Sequence, residues 1–202
     1  MKKFDYNNYS FDGHPVRITL HWTGGAYTPS SLDAEHYQFL IAEEEGKAVT
    51  YCGKYTVADQ DSTSSDYAAH TKGFNSKNIG ISLCGMAGAQ ENGTFGKYPL
   101  TAEQVDEAVK LCAFLCEGYD IKPTEQYLAS HCEIQRIHGV QQSGKWDISC
   151  LEYSPLKWQA LNDDIRDQVA DRIAHGVSKP ATEKPVVHLS VPRGTAVIVT
   201  EV

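Results

Sequence analysis

Apolar residues along this chain fall mostly into short runs, with two longer helical stripes. Residues 15–22, PVRITLHW, end on His21 and Trp22 and are followed by Gly24 and Gly25; the run predicts a strand. YQFLIA (37–42) and KAVTYC (47–52) flank EEEG. Gly46 can take the positive φ of a tight turn, so the pair predicts a hairpin. IGISLCG (79–85) is apolar on both faces and reads as a central strand. At Thr101 the period changes. Thr101 and Gln104 form a capping box, and Val105, Val109, Cys112 and Cys116 recur on one helical side. YLAS (127–130) predicts a short strand that delivers His131. The last helix is expected to start with Ser154 as cap and Pro155 in its first turn. Its buried stripe is Trp158, Leu161, Ile165, Val169 and Ile173, and Gly176 ends it.

Strands and helices intermix without strict β–α–β alternation. The expectation is an α/β (α+β) domain over residues 1–176, a central mixed sheet flanked by helices. VSKPATEKP (177–185) reads as a linker. Residues 186–202 read as a short β-like extension around Pro192–Gly194, marginal by itself.

Composition narrows the classes. The 202 residues fit one domain with a short appendage, and 41% hydrophobic content supports an ordinary core. No apolar run approaches the length of a membrane span. The start, MKKFDYNNYSFDGH, lacks an apolar signal region, so the chain is expected to be made in the cytoplasm without a signal peptide. A formal charge of −8 argues against a nucleic-acid partner. Cys52, Cys84, Cys112, Cys116, Cys132 and Cys150 are expected to be reduced and mostly structural. The oligomeric state is not legible at this level.

The candidate chemistry begins with His21. A single histidine at a strand end is more often a hydrogen-bonded structural residue than a ligand. His131 also follows an apolar run, and a polar loop then leads to Lys145-Trp146-Asp147. Two histidines at strand ends and one loop carboxylate are the ingredients of a catalytic zinc site with an open fourth position. Two neutral imidazoles and one carboxylate leave the ion net positive, so it can still acidify water.

HWTGG, HYQFLIAEEEGKAV, AAHTKGFNSKNIGISLCG, SHCEI and GKWD then occur in one order and spacing. With these motifs the chain resembles the zinc-dependent N-acetylmuramoyl-L-alanine amidases, in the branch shared by phage lysozyme-type amidases and peptidoglycan recognition proteins. The resemblance covers about residues 15–160. It implies one Zn2+ per chain held by His21, His131 and Asp147. It implies that Tyr37 and Lys145 assist catalysis by stabilising the oxyanion, and that His70 and Asn75 lie in the groove near the scissile bond. Trp146 is either a sugar-stacking or a packing residue. Phe74 is a groove wall or a loop anchor, Trp22 is a core residue, and His138 is a loop residue or a substrate contact.

The implied substrate is peptidoglycan or a muropeptide, and the implied reaction is hydrolysis of the amide between N-acetylmuramic acid and L-alanine. The setting implied is a phage or prophage endolysin that acts on the host wall. Muropeptide recycling in the cytoplasm and a secreted antibacterial toxin are alternatives. So are a recognition module that binds without cutting and a cysteine peptidase using Cys132 or Cys150. The sequence departs from the family pattern in its longer 131–145 loop and in having Ile148 where a proline usually follows the last ligand. Cys132 and Cys150 are therefore rival ligands to Asp147.

Overall fold

A computed structural model describes residues 1–176; the expected linker and β-like extension lie outside the described residues. Among the described residues, five strands form one sheet in the order β3-β2-β4-β1-β5. They are β1 (Arg17–Trp22), β2 (Phe39–Glu44), β3 (Lys47–Cys52), β4 (Asn78–Leu83) and β5 (Leu128–Ser130). β4 is central and parallel to both β1 and β2, β5 is parallel to β1, and only the β2–β3 hairpin is antiparallel. The sheet is mixed, as expected. The hairpin turns at Glu45 and Gly46, both at positive φ, the backbone that a two-residue turn between twisted strands requires.

Strand alternation sorts the sheet into two unlike faces. On one face Ile18, Leu20, Trp22, Ile79, Ile81, Leu83, Phe39 and Ile41 enter the main core. α2 (Ala102–Tyr119) covers this face with Val105, Ala108, Val109, Leu111, Cys112 and Leu115. Its predicted capping box is present. Buried Gln104 also reaches over to donate to the Ile41 and Cys84 carbonyls, which ties the start of the helix to the sheet. α4 (Trp158–His175) packs on α2 and buries Leu161, Ile165 and Val169. All six cysteines are free.

The opposite face is polar yet covered. Thr19 and Asn78 exchange hydrogen bonds there, and Gly80 N–H donates to the Gln38 side chain. The segment around His70 lies over it. A Cβ on Gly80 would stand 2.7 Å from the His70 ring carbons, so glycine in mid-strand marks the close approach of a second layer. β4 is thus central but not apolar on both faces: Asn78, Gly80 and Ser82 face the polar layer, which must carry hydrogen-bonding groups to accommodate the histidine.

Three local expectations need correction. Tyr37 does not open a strand; it is the C-cap of a short helix, α1 (Ser31–His36), which starts with a Ser30–Asp33 capping box. The stretch after His131 is not all loop: α3 (His131–His138) follows β5 directly and ends at Gly139, whose φ is +69°. α4 starts at Trp158 with Lys157 as cap, not at Ser154. The preceding segment is committed elsewhere, since Cys150 pairs with Lys157 as an isolated bridge and Trp158 N–H donates to the Ser149 carbonyl. Trp158 is consequently exposed rather than part of the stripe.

Candidate metal centre

His21 sits near the C-terminal end of β1 on the polar face, and His131 is the first residue after β5. Because β1 and β5 are parallel neighbours, both histidines emerge at the same end of the sheet. Asp147 arrives from the loop after α3. Its backbone carbonyl accepts from Cys132 N–H at 2.7 Å, which ties the two segments together. Asp147 Oδ2 lies 3.0 Å from His21 Nδ1 and 3.2 Å from His131 Nδ1. One ligand atom from each residue falls within 4.8 Å of the others, and all three residues are buried. This group could hold a metal ion.

The donor chemistry fits such an ion. Both histidines offer Nδ1 inward, and each outer nitrogen meets a hydrogen-bond partner. His131 Nε2 is 2.9 Å from Gln142 Oε1, an acceptor, so Nε2 carries the proton and Nδ1 keeps its lone pair. Gln142 is itself anchored by donating to the Lys72 carbonyl at 3.0 Å. His21 Nε2 is 3.1 Å from His70 Nδ1, and His70 Nε2 is 3.0 Å from the Asn78 carbonyl. The carbonyl can only accept. His70 therefore carries its proton on Nε2, receives one from His21 at Nδ1, and leaves His21 Nδ1 unprotonated. Burial lowers the His21 pKa to about 4, keeping the ring neutral. Burial alone would raise Asp147; without the ion, a proton taken up at a facing Nδ1 would donate to Oδ2, and this interaction with the His131 and His21 rings holds the carboxyl below the usual carboxylate range.

The other sequence candidates take distinct positions. Tyr37 packs beside His21, with ring centroids 5.2 Å apart. Burial and the Asp147 charge push its phenol pKa up, so it is a donor and not a base at neutral pH. Lys145 is exposed, two residues before Asp147, and its charge helps to lower the His21 pKa.

His70 and Asn75 are buried. Asn75 Oδ1 accepts from the His70 and Thr71 N–H groups, and both His70 ring nitrogens are engaged inside the protein. The two residues thus build the layer under His21. Trp146 lies edge-on to Trp22 at 4.6 Å and packs against the core, which favours the packing reading of its ring. Phe74 is held between the Arg17 guanidinium (4.3 Å) and His138 (4.5 Å). His138 ends α3.

Neither rival sulfur joins the group. Cys132 Sγ points to the Ile148 carbonyl at 3.3 Å, and Cys150 is buried in the main core. Residue patterns alone missed Gln142 and Thr71, whose hydroxyl lies 2.9 Å from His70 Nδ1. Gly80 was the available signal for a layer over β4.

A mixed-sheet α+β domain carrying a buried two-histidine, one-carboxylate cluster is the class that fold and site define. The family model described as N-acetylmuramoyl-L-alanine amidase matches residues 12–149, and the chain belongs to that family. Among solved structures, similar chains include the N-acetylmuramoyl-L-alanine amidase LysC from Clostridium intestinale URNW, at 17% identity and TM-score 0.40, covering 72% of this chain and 83% of that one. The PlyG catalytic domain is similar at 15% identity and TM-score 0.41, covering 86% and 89%. A third is the ectodomain complex of peptidoglycan recognition proteins LCa and LCx bound to tracheal cytotoxin, at 18% identity and TM-score 0.40, covering 65% and 77%. No curated protein matches the chain.

Proposed function

We propose that this chain is a zinc-dependent N-acetylmuramoyl-L-alanine amidase that cuts the amide joining N-acetylmuramic acid to the L-alanine of the stem peptide. The observation that carries the reading is the meeting of His21 Nδ1, His131 Nδ1 and Asp147 Oδ2 in a member of the amidase family. These three residues would hold the ion, with Nδ1 of each histidine freed by the proton on its outer nitrogen. When bound, zinc supplies Lewis acidity toward an amide carbonyl and activates water at neutral pH.

The chain's own groups do the rest. Tyr37, kept protonated by burial and by Asp147, donates a hydrogen bond to the carbonyl oxygen as that oxygen gains charge. Lys145, exposed beside the cluster, adds a positive charge to the same stabilisation. The buried layer of His70, Thr71 and Asn78 keeps the His21 ring oriented.

The competing chemistry has less support. Burial, with Glu133 and Asp147 nearby, raises the Cys132 thiol pKa, which opposes a cysteine nucleophile. A binder that does not cut has no need of a complete donor set with Tyr37 beside it. The setting we propose is that of a phage or prophage endolysin, on the sequence resemblance to phage lysozyme-type amidases.

The test is digestion of purified peptidoglycan with and without chelator, followed by mass analysis. Stem peptides with a free N-terminal alanine, lost on chelation and restored by zinc, are expected. New reducing sugar ends, or activity indifferent to chelator, would overturn the assignment.

A further inference from the structure

Two buried polar residues on α4 reach the segments that carry His131 and Asp147. The family match ends at residue 149, and α4 begins at Trp158. Asn162 is 2% exposed, though it carries an amide, and every hydrogen bond it makes is informative. Its Oδ1 accepts from the hydroxyl of Ser130, the residue before His131. Its Nδ2 donates to the carbonyl of Ile148, the residue after Asp147, at 2.9 Å, and contacts Cys132 Sγ at 3.8 Å. The third partner of Nδ2 is the Trp158 carbonyl of its own helix. One side chain thus spans both ligand-bearing segments.

One turn further on, Arg166 repeats the pattern. It is buried and forks onto Glu133, Nη1 to Oε2 at 2.8 Å and Nη2 to Oε1 at 3.1 Å. Its Nη1 also donates to the Leu128 carbonyl in β5. Glu133 Oε2 in turn accepts from Ser130 N–H at 3.2 Å. Arg166 therefore grips β5 and the first turn of α3, and His131 lies at the junction of the two. Residues four apart share one helical side, so the polar face of α4 is directed at the site while Leu161, Ile165 and Val169 enter the core. Helix packing alone would be met by apolar side chains. A buried amide and a buried guanidinium are tolerated only where their partners are fixed.

We infer that Asn162 and Arg166 are positioning residues for the metal centre: through Ser130, Ile148 and Glu133 they set the spacing of the His131 and Asp147 donor atoms. This rests on the zinc reading above. Groups outside the ligand shell that orient the ligands typically govern metal affinity by about 10- to 100-fold.

The test is zinc affinity of the full chain, measured by competition with a chromophoric chelator at a temperature where every protein used is folded. Asn162→Asp is nearly isosteric. It keeps the acceptor toward Ser130 and turns an oxygen on the Ile148 carbonyl. It is expected to weaken zinc binding at least tenfold and to alter the visible spectrum of the cobalt-substituted protein. Val169→Ala, which opens a cavity in the same helix away from the site, should lower the unfolding temperature but leave affinity within about twofold. Arg166→Lys keeps the charge and loses the fork, and serves if Asn162→Asp fails to fold; it too should weaken affinity.

Unchanged affinity and cobalt spectrum in whichever of these two variants folds would overturn the inference while leaving the zinc site intact. So would an equal loss in Val169→Ala, because the effect would then be general destabilisation. A wild-type chain that binds no zinc would overturn the zinc reading itself, and this inference with it.

Discussion

Tyr37→Phe removes one hydroxyl and keeps the ring that packs beside His21. Turnover on peptidoglycan fragments should fall by about 100- to 1,000-fold, while metal analysis still finds one zinc per chain; unchanged turnover would remove Tyr37 from the mechanism. Gln142→Met should act on the other quantity. It deletes the acceptor at His131 Nε2, so zinc affinity should drop by about 10- to 100-fold in an equilibrium titration. Wild-type affinity in that variant would show that the amide does not orient the ring. The two residues also differ in legibility. Tyr37, like His21, His131 and Asp147, stands in a motif that can be aligned by eye. Gln142 is a carboxamide in a loop, 11 residues from His131 and 70 from Lys72, and no periodicity or spacing announces such a partner. The placements of His70 and Asn75 were equally hidden, because sequence shows that a residue is near a site and not which way its hydrogen bonds run.

Elements of the chain were legible in proportion to how much local chemistry specified them. The 47–52 strand and the capped helix from residue 101 could be read because turn, cap and period agree. α1 was missed because six residues give less than two turns of period, and its Ser30–Asp33 box was the one sign of it. α3 is largely polar, burying His131, Glu133 and Ile134, so it passed for a loop. The start of α4 was displaced because tertiary pairing of Cys150 with Lys157 overrides the local preference of Ser154 and Pro155. β4 yields a prediction at this scale. Gly80→Ala would set a methyl group 2.7 Å from the His70 ring, and that ring would have to move. A loss of about 1–3 kcal/mol is expected from such overpacking, read as a lower denaturant midpoint, accompanied by weaker zinc binding. A fully stable Gly80→Ala with wild-type affinity would contradict the contact between the layers.

The molecule as a whole should respond to pH through its buried centre. In chelator-treated protein the His21 pKa is lowered to about 4 by burial, against about 6.5 in an unfolded chain. A depressed folded-state pKa contributes stability that is fully present above the unfolded value and is lost as pH falls toward the folded one. Thermal midpoints of the metal-free protein should therefore decline between about pH 6.5 and about pH 4, with Asp147 adding to the loss further down. Midpoints that stay level across this window would contradict a neutral, buried His21. Assembly in time gives the feature at α4 a last consequence. A nascent chain elongating at about 5–20 residues per second needs about 7–30 s to go from His21 to Asn162. Until that helix emerges, the segments that carry His131 and Asp147 are joined by the Cys132–Asp147 backbone bond without the added grip of Asn162 and Arg166. Polypeptides released early by a stalled ribosome would lack that brace and should hold zinc more weakly than the chain that has completed α4.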